Sequence, residues 1–313
     1  MLGYVLRRVL AVIPVLIVVA LFTFTILRLM PGDPAAVIGG DTATPEEIEI
    51  IRKSMGLDKP IYVQLGIWLA DIARGDLGES VHSRHSVAGL ILSRVEPTLS
   101  LAILTEIIAI SIAVPLGVLA AWKANSIIDR SVMLFAVVGF SMPVFWLGFM
   151  LMWLFGIKLE WLPVATYVPF REDFFAFLQH LILPSVTLGL VFIALIARMT
   201  RATVLEVLRE DYIRTARAKG LADTAVLLRH AMKNAALPIV TIIGLGIAGL
   251  ISGVVVTETI FAIPGIGRLS VDAIVHRDYP VIQGVILMTA GAYVFINLAV
   301  DITYAYFDPR IRY

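Results

Sequence analysis

The sequence predicts an all-helical, polytopic integral membrane protein with six transmembrane helices. Three observations carry that prediction. Hydrophobic residues fill 59% of 313 positions and the mean hydropathy is +0.91, well above an ordinary soluble domain. Six apolar stretches, at about 9–29, 97–121, 131–156, 181–200, 236–257 and 280–303, each reach the roughly 20 residues a bilayer core requires of a helix. Lys and Arg are distributed unevenly between these stretches, and that asymmetry sets topology.

In chain order, residues 1–30 form an N-terminal segment with the first span. The apolar run 9–27 is too long for a signal-peptide core and has no small-residue cleavage site, so it reads as a retained anchor. Residues 31–96 form an extracytoplasmic helical subdomain. There Thr44-Pro45-Glu46-Glu47 is a capping box with proline at the first helical position, opening a helix that runs to about Met55. Ile61, Leu65, Trp68, Leu69 and Ile72 then recur at helical spacing, and Gly75-Asp76-Leu77-Gly78 ends that amphipathic helix. Two readings stand for it: a helix lying on lipid headgroups, or a lid or docking surface for an external partner. Residues 97–313 form a core with spans two to six. Span two holds one acid, Glu106, and the stretch 131–157 has no charge at all.

Placing the N-terminus inside puts fourteen Lys and Arg on four short inner segments, eight of them between spans four and five. The long outer loop carries six, outnumbered there by ten acids. Both termini are therefore expected in the cytoplasm. Trp146, Trp153 and Trp161 approach or follow the outer end of span three, where an aromatic belt is expected. Cysteine is absent, which removes disulfides, thiol catalysis and cysteine metal sites. The net charge of +1 makes no case for nucleic acid, and no metal site is expected.

The inner loop 201–235 is far longer than a hairpin requires. Positions 203–219 read as a helix with Val204, Leu208, Tyr212, Thr215 and Ala216 on one side. Gly220 offers a left-handed stop. Asp223 or Thr224 caps a second helix running through Val226, Leu227 and His230 to about Ala235, and Pro238 opens span five. Small residues at Thr215, Ala216 and Ala218 favour close approach by another protein. A solvated basic loop touching anionic lipid is the plainer alternative.

At this loop the chain resembles the permease subunits of ATP-binding-cassette (ABC) transporters. Aligned on Gly220, the general Glu-Ala-Ala positions of that family fall on Arg214, Thr215 and Ala216, and the later Ile and Leu-Pro positions on His230, Met232 and Lys233. Only Ala216 and Gly220 keep the general pattern. The dipeptide/oligopeptide/nickel branch instead carries Glu-Asp-Tyr-x-Arg-Thr-Ala-Arg-Ala-Lys-Gly, which 210–220 reproduces. Further segments look like that branch: Gly75-Asp76-Leu77-Gly78-Glu79-Ser80, Ser141-Met142-Pro143, Leu183-Pro184-Ser185, Phe261-Ala262-Ile263-Pro264-Gly265-Ile266-Gly267, Arg277-Asp278-Tyr279-Pro280, Met30-Pro31-Gly32-Asp33-Pro34 and the tail from Asp308 to Tyr313. The long first loop resembles the first permease of the pair in such systems.

The resemblance implies a type I ABC importer permease fold in a prokaryotic plasma membrane. It also implies four kinds of partner: a second, similar permease, two cytoplasmic ATPase subunits, an external solute-binding protein and the bilayer. Tyr212, Arg214, Thr215, Ala216, Arg217, Ala218, Lys219 and Gly220 would then form the coupling helix seated on an ATPase. The chain has no Gly-x-x-x-x-Gly-Lys-Ser/Thr loop, so ATP and Mg are expected on the partner subunits, with no cofactor in this chain. No His-Glu-x-x-His or Gly-x-Ser-x-Gly pattern supports an enzyme.

Polar residues inside the spans are candidates for the pore or the substrate path. Glu106 reads either as a buried acid hydrogen-bonded to a neighbouring helix or as a pore-facing acid meeting a peptide amino terminus. Ser141, Pro143 and Asn297 are further candidates, and Pro115 and Pro143 are tolerated kinks or pivots. Asn297 and Asp301 lie four apart on one face of span six. Arg28 is expected to snorkel to headgroups. The competing class is a proton-coupled secondary transporter using Glu106 and Asp301, although no inverted repeat is visible.

Overall fold

The computed structural model describes residues 2–29, 34–39, 43–54 and 56–307. Those residues are helical with connecting segments, and the one β-bridge among them pairs Glu79 with Ser86. The helices are α1 (Leu2–Leu29), α2 (Pro34–Gly39), α3 (Pro45–Ser54), α4 (Ile61–Ala73), α5 (Val87–Trp122), α6 (Ile127–Ser141) and α7 (Val144–Leu151). A π-helical stretch, Met152–Lys158, continues α7. Then come α8 (Phe174–Val207), α9 (Asp211–Ala218), α10 (Asp223–Ala225), α11 (Met232–Ile260), α12 (Ile266–Val275) and α13 (Tyr279–Phe307), with π-helical Val226–Ala231 joining α10 to α11.

Among the described residues, five segments are long and apolar enough to cross a membrane: Arg7–Ile26, Val87–Trp122, Phe174–Val207, Asp223–Ile247 and Tyr279–Val300. The expected third span is not one straight helix. It is α6 and the α7 segment, bent by 101°, and it makes a sixth crossing only as a broken one. The cause is local: Met142 and Pro143 both take extended backbone at ψ 130, and Pro143 has no N–H to continue the α6 ladder. By contrast, Pro97 and Pro115 lie inside α5, which therefore starts ten residues before the expected span two. Lone prolines are tolerated in membrane helices when neighbours satisfy the freed carbonyls.

Side-chain caps fix several helix starts. Glu47 Oε2 accepts from Thr44 N at 2.8 Å, and Thr44 Oγ1 accepts from Glu47 N at 3.3 Å, which is the expected capping box. The bond from the Thr44 backbone amide holds the Glu47 carboxyl below its usual pKa. Asp173 Oδ1 accepts from Phe175 N and Ala176 N at 2.8 and 3.1 Å and opens α8.

The chain divides into two compact units. One comprises residues 6–96 and 265–294, so the expected 31–96 segment is joined by most of α1 and by α12 with the first half of α13. Its core gathers Val87, Ile91, Ile266, Leu269, Ala273, Val281 and Val285. A buried carboxylate, Asp278, draws two distant motifs together there. It accepts from the Ser80 hydroxyl and from the amides of Val81 and His82 at 3.2 and 3.3 Å. In the same unit α4 has no buried residue, and its Trp68 ring lies 5.5 Å from that of Phe24 on α1.

The other unit comprises residues 1–5, 97–264 and 295–313. On α5, Ala109, Ala113, Gly117 and Ala121 repeat every four residues and all are buried. This small-residue stripe lets α8 approach closely. A Cβ on Gly117 would stand 2.6 Å from the Ala197 carbonyl oxygen and from Thr200 Cβ. Glu258 on α11, fully buried, accepts a 2.6 Å hydrogen bond from the Thr98 hydroxyl on α5. Phe261 and Ile263 of the Phe-Ala-Ile-Pro motif are buried with Leu101, Leu181 and Leu250.

Candidate functional site

The loop between α8 and α11 is built as a rooted helix. The helix expected over 203–219 is interrupted: α8 ends at Val207, a turn occupies 208–210, and α9 begins at Asp211. The turn rotates the apolar face away from the expected Tyr212 and Thr215, which are exposed. Ile213 is fully buried and Ala216 is 7% exposed. They pack with Ala121 of α5, Val204 of α8, and Val226, Leu227 and Ala235 of the α10–α11 segment. Burying Ile213 contributes on the order of 2 kcal/mol, so α9 is fastened to three long helices at once. Tyr212 adds a polar tie, its hydroxyl accepting from Asn234 Nδ2 at 2.7 Å.

Gly220 sits at φ +80, as a left-handed stop requires. Its N–H bonds the Arg217 carbonyl at 2.9 Å, and Leu221 N reaches the Ala216 carbonyl at 3.4 Å, the pattern of a Schellman cap. Ala222, not Asp223 or Thr224, takes the N-cap position of the next helix. Asp223 instead accepts from Arg217 Nε at 3.1 Å across the corner. Both groups are well exposed, so that pair contributes little. The second helix does not stop near Ala235. It runs on through Pro238 into α11.

Of the candidate contact residues, Tyr212, Arg214, Thr215, Arg217, Ala218, Lys219 and Gly220 are exposed. Ala216 belongs to the chain's own core, which corrects its expected place on a partner-facing surface.

The intramembrane candidates do not converge. Glu106 is 6% exposed, and both its carboxylate oxygens are buried without a hydrogen-bond partner among the described residues. The carboxylate lies against Gly246 of α11 beside Phe192 of α8. Glu106 is therefore buried within the chain, and the hydrogen bond expected to a neighbouring helix is not made among the described residues. Ser141 and Pro143 are exposed at the α6–α7 break, and the Ser141 hydroxyl donates to the Val137 carbonyl at 2.8 Å. Asn297 is half-buried on α13. The side chains of Arg28 and Asp301 lie outside the described residues, as do residues 30–33, Met55 and the tail 308–313.

Sequence reasoning missed an ion pair at the other end of this region. Arg201 on α8 donates through Nε and Nη2 to the two oxygens of Asp129 on α6, the second at 2.8 Å. Asn125 N adds a 2.9 Å bond to the same carboxylate. The Asp129 side chain is 5% exposed and that of Arg201 25%, so removing one partner strands the other. Asp129→Asn is expected to destabilise the protein by about 2 kcal/mol, read as a lower melting temperature in detergent. An unchanged transition would show that the pair is dispensable.

These features define a class: a polytopic helical membrane protein with a short, exposed helix rooted beside its apolar helices. The chain belongs to the family described as binding-protein-dependent transport system inner membrane component, which matches residues 113–313. A companion description of the N-terminal part of such membrane components matches residues 1–102. It is thus a permease subunit of an ABC transport system. A probable peptide ABC transporter permease of Sinorhizobium fredii is 50% identical over 310 residues, 99% of both chains. A dipeptide transport system permease of Alkalihalophilus pseudofirmus is 44% identical over 333 residues, covering all of both. A glutathione transport system permease of Escherichia coli is 44% identical over 313 residues, again covering all of both. Among solved structures, an inward-facing form of the MetNI methionine ABC transporter matches with a TM-score of 0.58 at 18% identity. That match covers 70% of this chain and 96% of that one, and it supports the fold.

Proposed function

We propose that this chain is one of two permease subunits of a prokaryotic importer for peptide-class solutes. Both termini and the α8–α11 loop face the cytoplasm, and residues 31–96 face outward. An external binding protein delivers the solute, and two ATPase subunits hold ATP and Mg. The peptide class follows from the relatives, whose names specify peptides, dipeptides and glutathione. The observation that carries the coupling role is α9 itself. One side presents Tyr212, Arg214, Thr215 and Arg217 to solvent, and the other is rooted through Ile213 and Ala216 in the core. A helix anchored in this way transmits a push that a loop would absorb.

Uptake of a labelled dipeptide by inside-out and right-side-out vesicles tests this. Uptake is expected to need ATP and the binding protein and to survive an uncoupler. Loss of uptake on uncoupling, with indifference to ATP, would overturn it in favour of proton coupling.

A further inference from the structure

Arg198 and Arg201 stand on α8 less than one helical turn apart, in opposite circumstances. Arg201 is held by Asp129. Arg198, about 4.5 Å further back along the helix, is exposed and has no ion-pair or hydrogen-bond partner among the described residues. Helical side chains lean toward their own N-terminus, which for α8 is away from the Asp129 level and further into the span. There Arg198 walls a cleft of about 110 Å³ between α6 and α8 with Phe140, Ser141 and Leu195.

Two features favour an aqueous cleft. Arg198 lies near the inner end of the apolar helix Phe174–Val207, where a guanidinium faces a bundle interior, a water-filled cavity or the interface and not lipid chains. The α6–α7 break at the cleft's rim leaves the last α6 carbonyls without intrahelical partners. Such backbone is tolerated at membrane depth only where it is buried in protein or lines water; Ser141 and Pro143 are exposed in this chain, which leaves water or the second permease to cover them. The chemistry of the walls then selects the ligand. Arg198 offers a planar donor fork suited to a carboxylate. Ser141 has spent its proton on Val137, so its oxygen is left to accept an N–H. Phe140 supplies an apolar wall. A cation on one side, an N–H acceptor beside it and an apolar surface suit the end of a peptide.

We propose that the α6–α8 cleft receives the C-terminal carboxylate of the transported peptide on Arg198; this rests on the peptide-importer reading above.

The test uses the full transporter in proteoliposomes, with trialanine and trialanine amide each at concentrations that saturate the binding protein, checked by titrating that protein alone. Wild type is expected to take up the acid roughly tenfold faster, the scale of one charge-assisted contact. Arg198→Gln is expected to bring the acid-to-amide ratio near one, and Arg198→Lys to keep most of the preference. An equal loss of both uptakes in Arg198→Gln, or an unchanged ratio, overturns the proposal. So does loss of the second permease from purified Arg198→Gln complexes, because Arg198 would then pair with a subunit and not the solute. Equal uptake of both peptides by wild type sinks this inference alone. Uptake of neither sinks the peptide reading with it.

Discussion

Gly220→Val is expected to insert and assemble normally while losing at least nine-tenths of uptake, and Gly220→Asn to retain a substantial part. The loss does not come from a clash, since no atom lies within 4 Å of where a Cβ would stand. It comes from the backbone. At φ +80 a β-branched residue sits about 1–2 kcal/mol uphill, whereas Asn tolerates the left-handed region. That cost falls on the Schellman cap that sets the angle between α9 and the following helix. Uptake per assembled complex, set against the amount of complex recovered, checks this. Normal uptake by Gly220→Val would refute the coupling role of 211–220. Equal failure of both variants would show that the corner needs open space for a partner's surface and not a particular backbone angle.

Gly117→Val is expected to have the largest effect on folding. Its Cβ would fall 2.6 Å from the Ala197 carbonyl oxygen and from Thr200 Cβ, and a backbone oxygen cannot move aside as a flexible side chain does. Separating α5 from α8 costs about 3 kcal/mol or more. It also disturbs the packing of Ala109 and Ala113 against Ile193 and Ile196. Little folded protein should be recovered from membranes, and what survives should melt early. Recovery and melting like wild type would mean that the stripe does not set the helix spacing.

The contrast between these two glycines shows what was legible in the sequence. Gly220 announced itself, because a glycine after a run of helix formers is the ordinary signature of a left-handed stop. The Thr44 capping box was equally plain, since both partners lie within four residues. Gly117 carried no local signal, and only the four-residue spacing of small residues would have pointed to it. Asp129 and Arg201 are 72 positions apart; Arg201 counted only as one of the inner-loop charges, and nothing local pointed to Asp129 as its partner. The face of α9 was misread because Leu208, Arg209 and Glu210 are all acceptable in a helix. Burial of Ile213 decided the matter, with tertiary packing overriding propensity. Glu106 resisted for a similar reason, since nothing local reveals that Gly246 and Phe192 close over it.

The unbroken run from Asp223 through the π-helical turns to Ile260 has a mechanical meaning. It is a rod of about 57 Å, fixed near one end where Glu258 holds the Thr98 hydroxyl and gripped at the other by the corner after Gly220. A displacement of about 5 Å at the gripped end swings such a rod by only about 5°. Gly246 and Gly249 rest against the Phe192 ring and give it a smooth bearing there. The softest part, the wide π turns with Pro238 close by, lies next to the grip. If α9 couples as proposed, the gearing is reductive: a large stroke at the surface would become a fine adjustment further along α11, with the compliance placed next to the corner after Gly220.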